Sequence, residues 1–261
     1  KGGQGGFSAF SLEPIAIIGM SGIMPQSADL DEFWQNLAAE RDLISEVPPS
    51  RWDWRAVWGD PSEDKNRTDA KFGGFVPEID AFDAPFFGIS PREAELMDPQ
   101  QRVFMETVWH ALEDAGYKPS DLAGTETGIF VGVGNYDYKD LYRDFDLDLE
   151  AYTLTGSFHT ILTNRISFLL DIHGPSEPVD TACSSALVAV HNAVEALRLG
   201  HCPLAIAGGI NLNSSPRDHI AISKSDMLAP DGRCKTFDSR ANGYTRSEGS
   251  GVLILKPLSA A

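Results

Sequence analysis

The sequence predicts an α/β domain with a mostly parallel core sheet. Three observations carry this: continuous apolar runs bounded by glycine, amphipathic helical patterns between them, and the alternation of the two along most of the chain. Its 261 residues suffice for one large buried core.

The elements follow in order. The opening is glycine-rich, and residues 1–12 read as a linker or expression remnant ahead of a domain over 13–261. Pro14–Gly19 (PIAIIG) is a continuous apolar run, the pattern of a strand covered on both faces. Asp29–Glu40 places Leu30, Phe33, Trp34 and Leu37 on one helical face. Residues 48–91 are rich in proline, aromatics and turn residues and form a long flap, either for binding or assembly or simply packed on the surface. Asp98-Pro99 starts a helix, with Asp98 as N-cap and Pro99 in the first turn. Val103, Phe104, Val108, Ala111, Leu112 and Ala115 keep helical spacing until Gly116 stops it. Thr127–Gly132 is the next strand. Asp137–Glu150 carries six acids among aromatics without hard-cation loop spacing, and reads as a solvated face. A helix over Thr160–Leu170, a strand over Pro178–Thr181 and a helix over Ser184–Leu199 come next; Leu204–Gly209 and Val252–Leu255 complete the strands.

Charge and motifs narrow the chemistry. Lys+Arg is 21 and Asp+Glu 38, so the net charge is 21 − 38 = −17. Such a chain repels nucleic-acid backbones and anionic membrane surfaces. The longest apolar runs are too short to cross a bilayer. Three cysteines make no disulfide framework and suit a reducing, cytoplasmic setting. The chain lacks G-x-G-x-x-G, a P-loop, H-E-x-x-H and C-x-x-C. Cys183, Cys202 and Cys234 are widely spaced and share no ligand-like grouping with histidines, so no metal is expected.

Cys183 stands out. A strand ends near Thr181, and Leu187, Val190, Val194 and Leu197 mark a helix starting directly after the cysteine. Backbone N–H groups and the helix dipole favour a thiolate there, and the same N–H groups could receive an oxyanion in acyl transfer. A buried structural cysteine fits the pattern equally, and the residues alone leave both readings open.

Five segments resemble one family. Pro14–Gly22 (PIAIIGMSG), Phe87–Arg102 (FGISPREAELMDPQQR), Gly174–Ser185 (GPSEPVDTACSS), Gly232–Asp238 (GRCKTFD) and Gly243–Gly249 (GYTRSEG) are similar to the amino-terminal part of β-ketoacyl synthase (ketosynthase) domains of modular type I polyketide synthases. Thr245 and Ser247 stand where Val and Gly are more usual. The wording of Phe72–Phe87 resembles synthases whose acyltransferase acts in trans. The resemblance implies a thiolase-like fold, an obligate two-fold dimer, and Cys183 as the residue that accepts the growing acyl chain. An acyl carrier protein delivers that chain on phosphopantetheine; no cofactor is expected on this chain itself. Decarboxylation of a malonyl-type extender and Claisen condensation follow in the family. Arg233, Lys235, Arg240 and Arg246 face one acid, Asp238, within Arg233–Arg246, and are candidate contacts for phosphopantetheine or the carrier. Internal ion pairing is the competing reading.

The family's two catalytic histidines, in H-G-T-G-T and N-x-K-S-x-x-G-H segments, do not occur in these residues. His110, His159, His173, His191, His201 and His219 fall outside such motifs and read as structural. Three expectations arise: a split ketosynthase completed by a second polypeptide, part of a longer domain, or a non-catalytic docking or dimerisation scaffold. The amino-terminal half alone leaves apolar surface uncovered, which implies an oligomer or a tight partner.

Overall fold

The computed structural model describes residues 13–261, so the linker assigned to 1–12 lies outside the described residues. The chain runs through β1 (Ile15–Ile23), α1 (Leu30–Ala38), β2 (Ser45–Glu46), β3 (Phe72–Gly73), α2 (Pro91–Leu96), α3 (Pro99–Asp114), α4 (Pro119–Leu122) and β4 (Gly128–Gly132). It continues through α5 (Tyr138–Asp144), α6 (Ala151–Ser157), α7 (His159–Leu170), β5 (Ser176–Val179), α8 (Ser185–Arg198), β6 (Ala205–Asn211), α9 (Pro216–Ser223) and β7 (Gly249–Pro257).

Five strands form one sheet in the order β1-β7-β6-β4-β5. β4 pairs parallel with both β5 and β6, whereas β7 is antiparallel to both β6 and β1. The sheet is therefore mixed, not mostly parallel. After β6 the chain re-enters at the end it left, so that Asn211 pairs with Gly249, and no crossover returns it across a sheet face.

Alternation along the central strands builds two cores. Ile129, Val131, Ile206 and Ile254 face α3 and α7, where Phe104, Val108, Leu112, Leu162 and Ile166 meet them. Phe130, Ala205, Ala207 and Leu255 face α8, which answers with Ala189, Ala193 and Leu197. Small residues on both sides let that helix sit close to the sheet. The apolar set read from the sequence is thus only partly its buried face: Leu197 is buried, but Leu187 is 77% exposed.

The capping signals at α3 hold. The Gln100 N–H donates to Asp98 Oδ1 at 2.8 Å, and Pro99 occupies the first turn. The helix lies directly on β1. A Cβ at Gly19 would stand 2.7 Å from the Ala111 carbonyl and 2.6 Å from the Ala115 Cβ, so only glycine permits the approach.

Two expectations change. β1 is an edge strand with one face open, and Ile17 and Met20 are exposed. In α1, Trp34 and Leu37 are exposed; the buried residue is Asn36, whose amide donates to Ser27 Oγ at 2.9 Å and the Gln26 carbonyl at 3.1 Å. Both follow from edge position, since nothing described packs beyond β1. Of the two readings of the 48–91 flap, packing on the surface describes it: Phe75, Val76, Ile79, Ala84 and Phe87 are buried.

Candidate active site

Cys183 sits on a tight corner between β5 and α8. Asp180 Oδ1 accepts the Ala182 N–H at 3.0 Å, and Ala182 adopts a φ of +56°, a left-handed conformation costing an alanine roughly 1 kcal/mol or more. Ser185 Oγ accepts the Thr181 N–H at 2.9 Å and donates to the Ala182 carbonyl at 2.7 Å, closing the corner from the helix side. Cys183 lies in the 3₁₀ turn Ala182–Ser184, just ahead of α8 and not within its first turn. Its side chain is exposed; the buried cysteine is Cys202, packed with Phe130, and burial pushes that thiol up.

Two glycines seat the corner on the sheet. A Cβ at Gly132 would lie 2.3 Å from the Ala186 nitrogen, and one at Gly209 would lie 2.7 Å from the Ala186 Cβ. The ends of β4 and β6 therefore touch the start of α8.

A cavity of about 1020 Å³ opens in front of Cys183. Its walls come from the ends of β4 and β6, from α8 through Leu187 and Val190, and from residues 244–253. Of the four candidate cations, Arg246 lines this cavity; Arg233, Lys235 and Arg240 do not. Arg233 pairs with Asp42, Lys235, itself half-buried, with Asp231 at 2.8 Å, and the exposed Arg240 with Asp238 at 2.8 Å.

None of the six histidines lines the cavity. His110, His173 and His191 stand on the surface beside Glu113, Asp171 and Glu195. His201 is exposed. His159 is buried, donates through Nε2 to the Asn135 carbonyl at 2.8 Å, and is pushed down chiefly by burial. His219 donates to the Ala70 carbonyl at 3.0 Å, tying α9 to the flap, and burial pushes it down to about 4.

Sequence reasoning missed a polar hub behind the cavity. The Asn135 carbonyl also accepts from Gln100 Nε2 at 2.9 Å, and its side chain accepts the Asp137 N–H at 3.1 Å while donating to the Leu212 carbonyl. Asp137 opens the acidic stretch read as solvated, yet it is 3% exposed. Its Oδ2 accepts the N–H groups of Ser214 and Ser215 at 2.8 and 3.0 Å. Burial pushes Asp137 up to about 7 and Asp98 up to about 6. The one available signal was position: Asn135 and Asp137 directly follow a fully buried strand. The remaining acids do face outward, Asp140 and Asp144 meeting Arg143 and Arg217.

Because folded Asp137 holds its proton more tightly than the ordinary carboxylate value of 3.8, its contribution to stability is present below that value and lost as pH rises through about 7. We expect Asp137→Asn, which keeps an acceptor for both serine N–H groups, to match wild type near pH 4 and exceed it by roughly 3 kcal/mol near pH 8. Urea midpoints at the two pH values check this; equal effects at both would refute it.

Among the described residues no group of three or more His, Cys, Asp or Glu could hold a metal ion, and no helix is long and apolar enough to cross a membrane.

Comparison with known proteins identifies the family. The chain is 51% identical over 249 residues to polyketide synthase PksN of Bacillus subtilis and 46% identical over 249 residues to polyketide synthase ThaG of Burkholderia thailandensis; the match takes in 95% of this chain and 4% of either relative. The oxazolomycin ketosynthase domain OzmH KS7 of Streptomyces albus JA3453 superposes with a TM-score of 0.85 at 40% identity, covering 95% of this chain and 44% of that one. The ketosynthase from module 6 of the bacillaene synthase of Bacillus subtilis 168 gives 0.82 at 38% identity, with 94% and 40% covered. The chain thus spans less than half of the ketosynthases it superposes on. The family model "Beta-ketoacyl synthase, N-terminal domain" matches residues 12–261, nearly the whole chain, and the chain belongs to that family.

Proposed function

We propose that this chain is the nucleophile-bearing part of a polyketide ketosynthase and that Cys183 accepts the acyl chain. The observation that carries the reading is an exposed cysteine, fixed on a positive-φ corner, opening onto a cavity large enough for an acyl-pantetheine arm. The Cys183 sulfur attacks the thioester carbonyl, the new S–C bond replaces the old one, and the pantetheine thiol leaves with the proton. Decarboxylation of a malonyl-type extender and formation of the carbon–carbon bond then draw on the family's two histidine motifs, whichever polypeptide carries them, as general acid/base groups worth about 10²–10⁴-fold.

The donor is an acyl carrier protein bearing phosphopantetheine, and the shared wording of Phe72–Phe87 favours an acyltransferase acting in trans. A second copy of the chain is the other partner. β5 is an edge strand, and Phe168 on the neighbouring α7 is 90% exposed, so edge pairing would bury both. A cytoplasmic setting keeps Cys183, Cys202 and Cys234 reduced.

Intact mass after incubation with a short acyl-pantetheine thioester tests the reading. Wild type should gain one acyl group and Cys183→Ala none, and sedimentation should show a dimer. A wild-type protein that gains nothing, or a variant that is still acylated, would overturn the acyl-transfer role; a clean monomer would overturn the dimer.

A further inference from the structure

One asparagine of this chain precedes a glycine: Asn242, before Gly243, in the loop between α9 and β7. The nitrogen that follows an asparagine can close on its Cγ in a five-membered ring and expel the amide as ammonia. A side chain on the following residue obstructs that closure, and an engaged N–H opposes it. Here neither obstacle is present. Asn242 is exposed, and the Gly243 N–H makes no hydrogen bond among the described residues.

The fold itself requires the glycine. Gly243 has a φ of +135°, and a Cβ there would lie 2.5 Å from the Leu228 carbonyl carbon and 2.6 Å from the Ala229 nitrogen. The next residue holds it in place: the Tyr244 N–H donates to the Met227 carbonyl, and the Tyr244 carbonyl accepts the Ala229 N–H, both at 2.9 Å. Packing thus excludes any residue that would shield the attacking nitrogen.

Lys235 supplies the second observation. Its Nζ donates to Asn242 Oδ1 at 2.6 Å and is steadied by Asp231 Oδ1 at 2.8 Å. An ammonium on that oxygen draws electrons from Cγ and stabilises the oxyanion formed when a nitrogen adds to it. Asn213 is the contrast within the same chain. It also precedes a small residue, but it is 1% exposed, and the Ser214 N–H is committed to Asp137 Oδ2 at 2.8 Å.

We propose that Asn242 is a site of spontaneous deamidation that the fold promotes through Lys235. The Gly243 nitrogen gives its proton to hydroxide and bonds to Cγ. The Cγ–Nδ2 bond then breaks, and ammonia leaves with a proton from water, so that a succinimide remains. A second water opens the ring at either carbonyl, giving aspartate or isoaspartate; the net change is one water consumed and one ammonia released. Isoaspartate carries the main chain through its β-carbon, which lengthens the chain by one methylene directly before Tyr244. Tyr244 lines the cavity in front of Cys183, so the altered linkage falls next to the cavity wall.

Peptide mapping of the whole chain after incubation in mildly alkaline buffer, folded or in guanidinium chloride, tests this. Folded wild type should convert Asn242 about tenfold faster than Lys235→Met, the size of one charge-assisted hydrogen bond. It should also convert Asn242 faster than the unfolded chain, in which Lys235 is not held on Oδ1, while Asn213 stays intact. Lys235→Arg keeps a cationic donor and should retain most of the rate, which separates the charge from a general loosening of the loop. A folded chain whose Asn242 outlasts that of the unfolded chain would overturn the proposal. Lys235→Met that deamidates at the wild-type rate would overturn it as well.

Discussion

Glu248→Ala should cost roughly 3–5 kcal/mol, the largest stability loss of any single change considered, because it strands a buried charge. The Arg51 and Glu248 side chains are 3% and 0% exposed. Glu248 accepts Arg51 Nε at 2.9 Å and Nη2 at 2.8 Å in a bidentate pair, and also the N–H groups of Val76 at 2.9 Å and Asn213 at 3.0 Å. One carboxylate therefore joins the flap, the entrance to β7 and the exit from β6. Removing it leaves the guanidinium unpaired in charge, with only the Val76 carbonyl as a buried acceptor, and two backbone donors without acceptors. Arg51→Met combined with Glu248→Leu removes the unpaired charge, so the double variant should lose less than Glu248→Ala alone. Urea midpoints for the three proteins decide this. A double variant no better than the single one would mean that the two backbone N–H groups, not the ion pair, dominate.

The second large effect is on chemistry. Gly132→Ala places a methyl 2.3 Å from the Ala186 nitrogen and 2.5 Å from the Ser185 carbonyl carbon, and both are backbone atoms that no rotamer change can move aside. Either β4 or the start of α8 must shift. Overpacking of this kind costs about 1–3 kcal/mol. The larger consequence falls on Cys183, three residues before Ala186, since a displacement of about 1 Å at a reacting group can cost around 10²-fold in rate. We expect acylation of Cys183 to fall by about two orders of magnitude while far-UV circular dichroism remains native. Acylation at the wild-type rate would show that the corner does not depend on this seat.

What the sequence disclosed was local in origin. The Asp98 cap, Pro99 and the stop at Gly116 act within a few residues of themselves, and α3 appears where they place it. The Cys183 corner was legible for the same reason: a strand end and a helix start lie on either side of it. The direction of β7 was not, because it depends on the end at which the chain re-enters the sheet. Nor was the burial of Asp137, whose acceptors are satisfied from residues 214 and 215, or the docking of the flap, whose anchor lies 197 residues from Arg51. The cavity belongs with these: its walls come from six separated stretches, and periodicity within any one of them says nothing about the others.

The pairing of β1 with β7 also has a consequence in time. Ile15 pairs with Pro257, so the earliest of the described strands hydrogen-bonds along that ladder with the latest of them. At synthesis rates of about 5–20 residues per second, the ladder edge of β1 stays open for roughly 10–50 s before its partner exists. α3 can cover one face of β1 much sooner, through the contact that Gly19 permits, but it cannot satisfy the strand's N–H and carbonyl groups. An apolar strand with an open edge is a template for the wrong neighbour. On crowded polysomes making this chain, the interval before β7 emerges is when copies are most exposed to joining one another through β1.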